Sequence, residues 1–339
     1  MDAFIDALPK CELHLHIEGT LEPELLFALA ARHSVALPYP SVAAARAAYR
    51  FTSLQSFLDL YYTAFTVLKT RADFTDLAAA YFARAKADHI THAELAFDGP
   101  AHERNGVAIS DVVLGLVDAC NTAKATLGIT SRLIFSFQRD YPLPELFASL
   151  QRLAPLAHHI AAVGLDSAEI GYPAAAFEAL FAAARAPPYN IPHAVAHAGE
   201  EGGASEVLDA MRLLKVSRVD HGVAAAKDVG VVDEVVRRGV ALTVCPLSNV
   251  RLGVVGELGE VPVGRLLDLG VKVTVNSDDP AYFGGYLGEN LRAVAGEAGM
   301  TRERVYAVVR NAFEASFLEE GEKREKMEEL RRAAVEAGL

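Results

Sequence analysis

Two histidines stand two positions apart in Glu12-Leu13-His14-Leu15-His16-Ile17-Glu18-Gly19. In a strand, side chains at i and i+2 project to the same side. His14 and His16 therefore point together, away from Leu13, Leu15 and Ile17. Two imidazoles aimed at one point make half of a zinc site. Later in the chain, polar clusters follow short apolar runs: His197-Ala198-Gly199-Glu200, Asp220-His221-Gly222, Cys245-Pro246-Leu247-Ser248-Asn249 and Asn276-Ser277-Asp278-Asp279-Pro280. A lone cluster of this kind reads as a helix cap. Their recurrence on one rim does not. His14, His16, His197 and Asp278 together offer three imidazoles and a carboxylate, which suits one Zn²⁺ with a water as a further ligand. Zinc brings the pKa of such a water toward ~7. Glu200, three residues past a ligand, is placed to give a proton to a substrate. His221 is placed to hold the attacking water, and Asp279 to share that task or grip the substrate.

These residues need a frame that brings distant strand ends together. The first strand is followed by helical periodicity over Glu22 to Val35 and again over 41–71, where Phe57, Leu58, Tyr61, Tyr62, Phe65 and Leu68 form one face. That stripe reads either as core or as a helical lid over a ligand. From Ala72 onward helix and strand alternate. The strands are Thr91 to Phe97, Ser131 to Phe137, Ala161 to Leu165, His193 to His197, Arg218 to His221, Val240 to Cys245 and Val271 to Asn276. Eight short apolar strands separated by helices imply a parallel sheet, and that number favours a closed (β/α)₈ TIM barrel. Catalytic groups of such a barrel lie at the C-terminal ends of its strands. No Gly-x-Gly-x-x-Gly follows a strand, and no helix is expected to open after Leu252-Gly253, which speaks against a dinucleotide-binding sheet. The expectation is a single domain over 1–339, with a lid-like helical insertion at about 41–71 and extra helices at the C-terminal end. The charged run Glu319 to Arg332 reads as a solvated helix face.

Composition narrows the class. Hydrophobic residues make up 52%, enough for a large core, and the net charge of −12 disfavours nucleic acid or an anionic membrane as partner. Three scattered cysteines, Cys11, Cys120 and Cys245, read as free thiols in a reducing compartment. No signal peptide or membrane-length apolar run is visible, so a cytoplasmic location is expected. No lysine sits near the end of the fourth strand, Gly164-Leu165-Asp166-Ser167-Ala168-Glu169, where two-metal barrel hydrolases carry their bridging lysine. One metal is therefore expected.

The linked motifs Pro9 to Gly19, His197-Ala198-Gly199-Glu200, Asp220-His221-Gly222, Cys245 to Asn249 and Ser277 to Pro280 resemble the adenosine/adenine deaminase family, in order and over nearly the whole chain. The resemblance implies a zinc-dependent barrel that replaces the 6-amino group of a purine by oxygen and releases ammonia. It implies that His14, His16, His197 and Asp278 bind zinc and that Glu200 protonates purine N1. By the same likeness His221 orients the hydroxide, Asp279 accepts a hydrogen bond from the N7 side, and the Gly171 amide meets N3. Glu18 stands where the adenosine branch usually has an aspartate that holds the ribose, and the stretch His16 to Glu24 is similar to the adenine branch. A longer carboxylate there would fill the ribose space and favour the free base. Phe97-Asp98-Gly99-Pro100 and Gln138-Arg139-Asp140 depart from that branch. Adenine is the expected substrate, with adenosine, an N6-modified adenine or aminodeoxyfutalosine as alternatives, and a non-catalytic purine-binding protein as a different class. Arg139 and Asp140 read equally as a surface ion pair.

Overall fold

The computed structural model describes residues 1–51, 53–297 and 299–339. Eight parallel strands are hydrogen-bonded in chain order: β1 (Lys10–His16), β2 (Ile90–Phe97), β3 (Thr130–Gln138), β4 (Ile160–Asp166), β5 (His193–Ala198), β6 (Arg218–His221), β7 (Ala241–Val244) and β8 (Lys272–Val275). β8 meets β1 through the parallel bridge Leu15↔Asp278. There the Asp278 N–H donates to the His14 carbonyl at 3.1 Å and the His16 N–H to the Asp278 carbonyl at 3.0 Å. The sheet is thus a (β/α)₈ barrel, as the alternation predicts. Its strands read as continuous apolar runs because both faces are covered. Leu13, Leu15, Leu95, Phe97 and Phe135 face the helices within the main core. Ala96, Ile134, Ala162 and Val195 fill the narrow inside.

The tail closes the barrel floor. Phe317 follows the helix Arg302–Ala315 and joins the inner cluster. Its ring stacks on His193 with centroids 4.3 Å apart, and the Arg218 guanidinium lies 4.0 Å from its centroid. Arg218 donates to Glu94 at 2.6 Å and to the Ala315 carbonyl at 3.0 Å, and the Phe317 N–H donates to Glu94. Both members of the Arg218–Glu94 pair are fully buried. Removing one partner of such a pair strands the other charge. Arg218→Met is expected to cost about 3–5 kcal/mol of stability in urea unfolding, whereas a loss below about 1 kcal/mol would show that the tail, not the ion pair, holds the floor.

Element boundaries moved where capping decides them. The helical stretch over 41–71 is two helices, Val42–Ala48 and Leu54–Ala64. Ser41 accepts the Ala44 N–H, and Ser53 and Ser56 form a reciprocal capping box, so each serine starts its own helix. Thr52, between them, lies outside the described residues. After β7 the expected turn is a short helix, Pro246–Arg251, with proline in its first position. The short helices Asp2–Ala7 and Gly99–Arg104 and the longer Leu287–Glu297 were not expected from periodicity. Among the described residues, no helix is long and apolar enough to cross a membrane.

Candidate active site

The C-terminal ends of β1, β5, β6 and β8 bring the predicted residues to one place. His16 Nε2 lies 3.2 Å from His197 Nε2 and 3.5 Å from Asp278 Oδ1, and His14 Nε2 lies 3.2 Å from the same oxygen. Ligand atoms of His14, His16 and His197 all fall within 4.8 Å of one another, as do those of His14, His221 and Asp278. All of these side chains are buried. The outward nitrogens of the first two histidines are held from behind. His14 Nδ1 faces the Thr243 carbonyl at 3.2 Å and Cys245 Sγ at 3.4 Å, and His16 Nδ1 lies 3.8 Å from Asp166 Oδ2. Such partners fix ring orientation at metal sites. Asp278 and His221 both adopt positive φ, 65° and 59°. Non-glycine residues in that region carry backbone strain that clusters at functional sites.

The electrostatics call for a cation. Burial alone pulls the His14 imidazole down, but Asp220 and Asp278 together push it up to about 9. Burial and the neighbouring His14, His221 and His16 hold His197 well below its usual value. Asp278 is held well below the carboxylate range: burial works against ionisation, and His14, His221 and His16 outweigh it. The cluster thus keeps an ionised carboxylate at Asp278 and a neutral imidazole at His197, the forms that ligate metals, while His14 holds a proton that a metal ion would displace. His14 Nε2 makes no aligned hydrogen bond among the described residues, although Asp278 Oδ1 lies 3.2 Å from it. Three converging imidazoles and one carboxylate fit a divalent ion with a position left for water.

Around this cluster sit the remaining polar groups. Glu200 Oε2 lies 3.5 Å from His221 Nε2 and 4.0 Å from His197 Nδ1. Burial first, then Asp278, Glu169 and Glu201, raise Glu200 well above the usual carboxylate range. A carboxyl that keeps its proton near neutral pH can act as an acid. Burial lowers His221 to about 3, so its ring is neutral. The Asn249 side-chain amide engages His221 Nδ1 at 3.1 Å, and the two orientations of that amide select which ring nitrogen carries the hydrogen. Burial and the adjacent Asp278 raise Asp279 well above its usual range. The close approach of the turn Glu18–Thr20, which follows β1, to Asp279 depends on Gly19, where a Cβ would lie 2.1 Å from Asp279 Oδ1.

A cavity opens over His16, His197, Glu200, His221, Asp278 and Asp279. Its roof is the helix Leu54–Ala64, through Leu54, Phe57, Leu58, Tyr61 and Tyr62. These aromatics form a cluster apart from the barrel core, with Phe57 and Phe283 centroids 4.7 Å apart. The stripe packs as a small core of its own, and part of it lines the cavity. Free space beneath it is about 30 Å³, room for about two waters.

Two predicted substrate contacts stand elsewhere. Glu18 does not line the cavity, because its carboxylate is consumed by neighbours. Glu18 Oε1 accepts from His102 Nε2 at 2.7 Å and the Asp98 N–H at 3.0 Å, and Oε2 lies 3.5 Å from the Tyr61 hydroxyl. Gly171 is exposed with φ 87° and is also outside the lining, since the loop turns outward after Glu169. Asp98, Asp166 and Ser167 line it instead. The first two end β2 and β4 in sequence, so the strand-end rule that found His197 and Asp278 points to them equally. Leu252 and Phe283 carry no comparable signal. Arg139 and Asp140 are not a surface pair: Arg139 is buried, and Asp140 accepts from Ser167 at 3.0 Å.

Known proteins resemble this chain over its length. The family model for adenosine deaminase matches residues 9–333. An adenine deaminase from Rhodospirillum rubrum is 49% identical over 323 residues, 95% of this chain and 96% of its relative. The crystal structure of adenine deaminase from Arthrobacter aurescens superposes with a TM-score of 0.93 at 43% identity, covering 96% of this chain and 98% of that one. An amidohydrolase from Burkholderia ambifaria with bound Zn superposes with a TM-score of 0.89 at 25% identity, covering 99% and 94%.

Proposed function

Because the chain belongs to the adenosine deaminase family of hydrolytic deaminases, we propose that it converts adenine and water to hypoxanthine and ammonia with one zinc ion. The observation that carries this reading is the meeting of a three-histidine, one-aspartate cluster with a buried Glu200, 3.5 Å from His221, at one cavity. His14, His16, His197 and Asp278 would hold the zinc ion. When bound, zinc supplies the Lewis acidity that makes water a nucleophile near neutral pH. Glu200 donates its proton to N1, and C6 becomes electrophilic. His221, neutral and held by Asn249, orients the attacking water. Asp279, inclined to keep its proton, donates to the N7 lone pair, the reverse of the direction expected from sequence. The water oxygen bonds to C6, and the C6–N bond then breaks. One proton of the water returns Glu200 to its acid form, the other completes ammonia, and the proton given to N1 stays on hypoxanthine.

The free base is favoured by the roof. With room for about two waters beneath the helix Leu54–Ala64, the cavity is tight for a planar base and tighter still for a base that carries a ribose. Glu18 contributes from behind, by fixing the Asp98 backbone and bracing Tyr61. Adenine is expected to exceed adenosine in kcat/KM by at least ~10²-fold. Steady-state assays that also include an N6-substituted adenine and aminodeoxyfutalosine check this, and any of those three outpacing adenine would refute the substrate.

A further inference from the structure

The segment after β5 carries two groups of the proposed chemistry, His197 and Glu200, yet residues 199–203 belong to no helix or strand. Its backbone amides converge instead on one side chain. Glu169, on the loop after β4 and only 4% exposed, accepts the Gly199 N–H through Oε1 at 2.7 Å. Through Oε2 it accepts the N–H groups of Glu200 at 3.1 Å, Glu201 at 3.0 Å and Gly202 at 2.9 Å. The Glu201 carboxylate returns the contact by accepting the Glu169 N–H at 3.1 Å. From the other side Arg139, 1% exposed, donates to the His197 carbonyl and to the Tyr172 carbonyl.

Four consecutive amides saturate the acceptor sites of one carboxylate and all come from a single segment. It fixes the path of the chain through the residue that holds the acid. The sequence makes room for it. A Cβ on Gly202 would lie 2.7 Å from Glu169 Oε1 and 2.9 Å from Glu206 Cγ, so only glycine lets the carboxylate reach the amides.

We propose that Glu169 is a positioning residue for Glu200: its carboxylate sets the backbone from which the Glu200 side chain enters the cavity, while Arg139 pins the carbonyl of His197. This rests on the reading of Glu200 as the acid. Glutamine at 169 keeps the shape but turns an NH₂ toward amides that need an acceptor, so the segment loosens without loss of fold.

The test uses the metal-loaded full chain with Glu169→Gln. The turnover number on adenine is expected to fall about 10²-fold, the scale of a 1 Å misplacement, with KM within about threefold, a split that marks a transition-state effect. Metal content stays at one per chain. Amide hydrogen exchange in residues 199–202 speeds up about tenfold while β6 is unchanged, since local opening is read there directly. Turnover within about threefold of the parent per metal-loaded chain, or unchanged exchange in 199–202, overturns the proposal. If Glu169→Gln does not fold or load metal, Gly202→Ala decides on the same readings, because it displaces the carboxylate while keeping its charge. Glu200→Gln, run alongside, separates the two claims: normal turnover there fails the acid itself, whatever Glu169 does.

Discussion

Glu200→Gln is expected to lower kcat on adenine by at least ~10²-fold with the metal content unchanged. Glutamine fills the same volume and keeps a hydrogen-bonding head, but it has no proton to give. The proton matters because adenine at C6 is a poor electrophile until N1 is protonated. Glu200 is the group whose surroundings prepare it for that step. It is buried against Asp278, Glu169 and Glu201, all of which favour its neutral form. Its oxygen lies 3.5 Å from His221, which is held neutral and so does not draw the proton away. Kinetics and metal analysis on the same preparation check the prediction. Near-normal turnover would remove Glu200 from the mechanism.

His16→Ala is expected to abolish metal binding and, with it, activity. His16 Nε2 sits within 3.5 Å of both His197 Nε2 and Asp278 Oδ1, so it is central to the ligand set. Loss of an outer partner of a metal ligand lowers affinity about 10–100-fold, and loss of the ligand itself is expected to exceed that. Competition against a chromogenic chelator measures it. Asp166→Asn, which weakens the support behind His16 at 3.8 Å but removes no ligand, should lower metal affinity within the 10–100-fold range. Full metal retention in His16→Ala would undo the ligand assignment.

The parts of this site visible in sequence share one property: their geometry follows from strand periodicity. His14 and His16 point together because a strand alternates, and His197, His221 and Asp278 meet because a parallel barrel gathers the C-terminal ends of its strands. The barrel itself was readable from eight apolar runs between helices. What escaped was set by partners distant in sequence. Glu18 has a place in a motif, yet its carboxylate is claimed by His102 and the Asp98 amide, 84 and 80 positions away in the chain. Gly171 escapes because a loop's direction is decided by its anchors, here Glu169 and Arg139. Nothing in the order of residues near Glu169 announces that four amides of another loop will converge on it. The Phe317 floor is similar: a single aromatic in a charged tail becomes structural only through Arg218, Glu94 and His193.

The measurement closest to the central claim is a zinc titration of the metal-free full chain, with adenine consumption, hypoxanthine and ammonia followed together. Activity should rise linearly and level off at one zinc per chain, with hypoxanthine and ammonia formed in equal amounts. Full turnover without metal, a plateau that requires two ions, or zinc-saturated protein that leaves adenine unchanged would contradict the account.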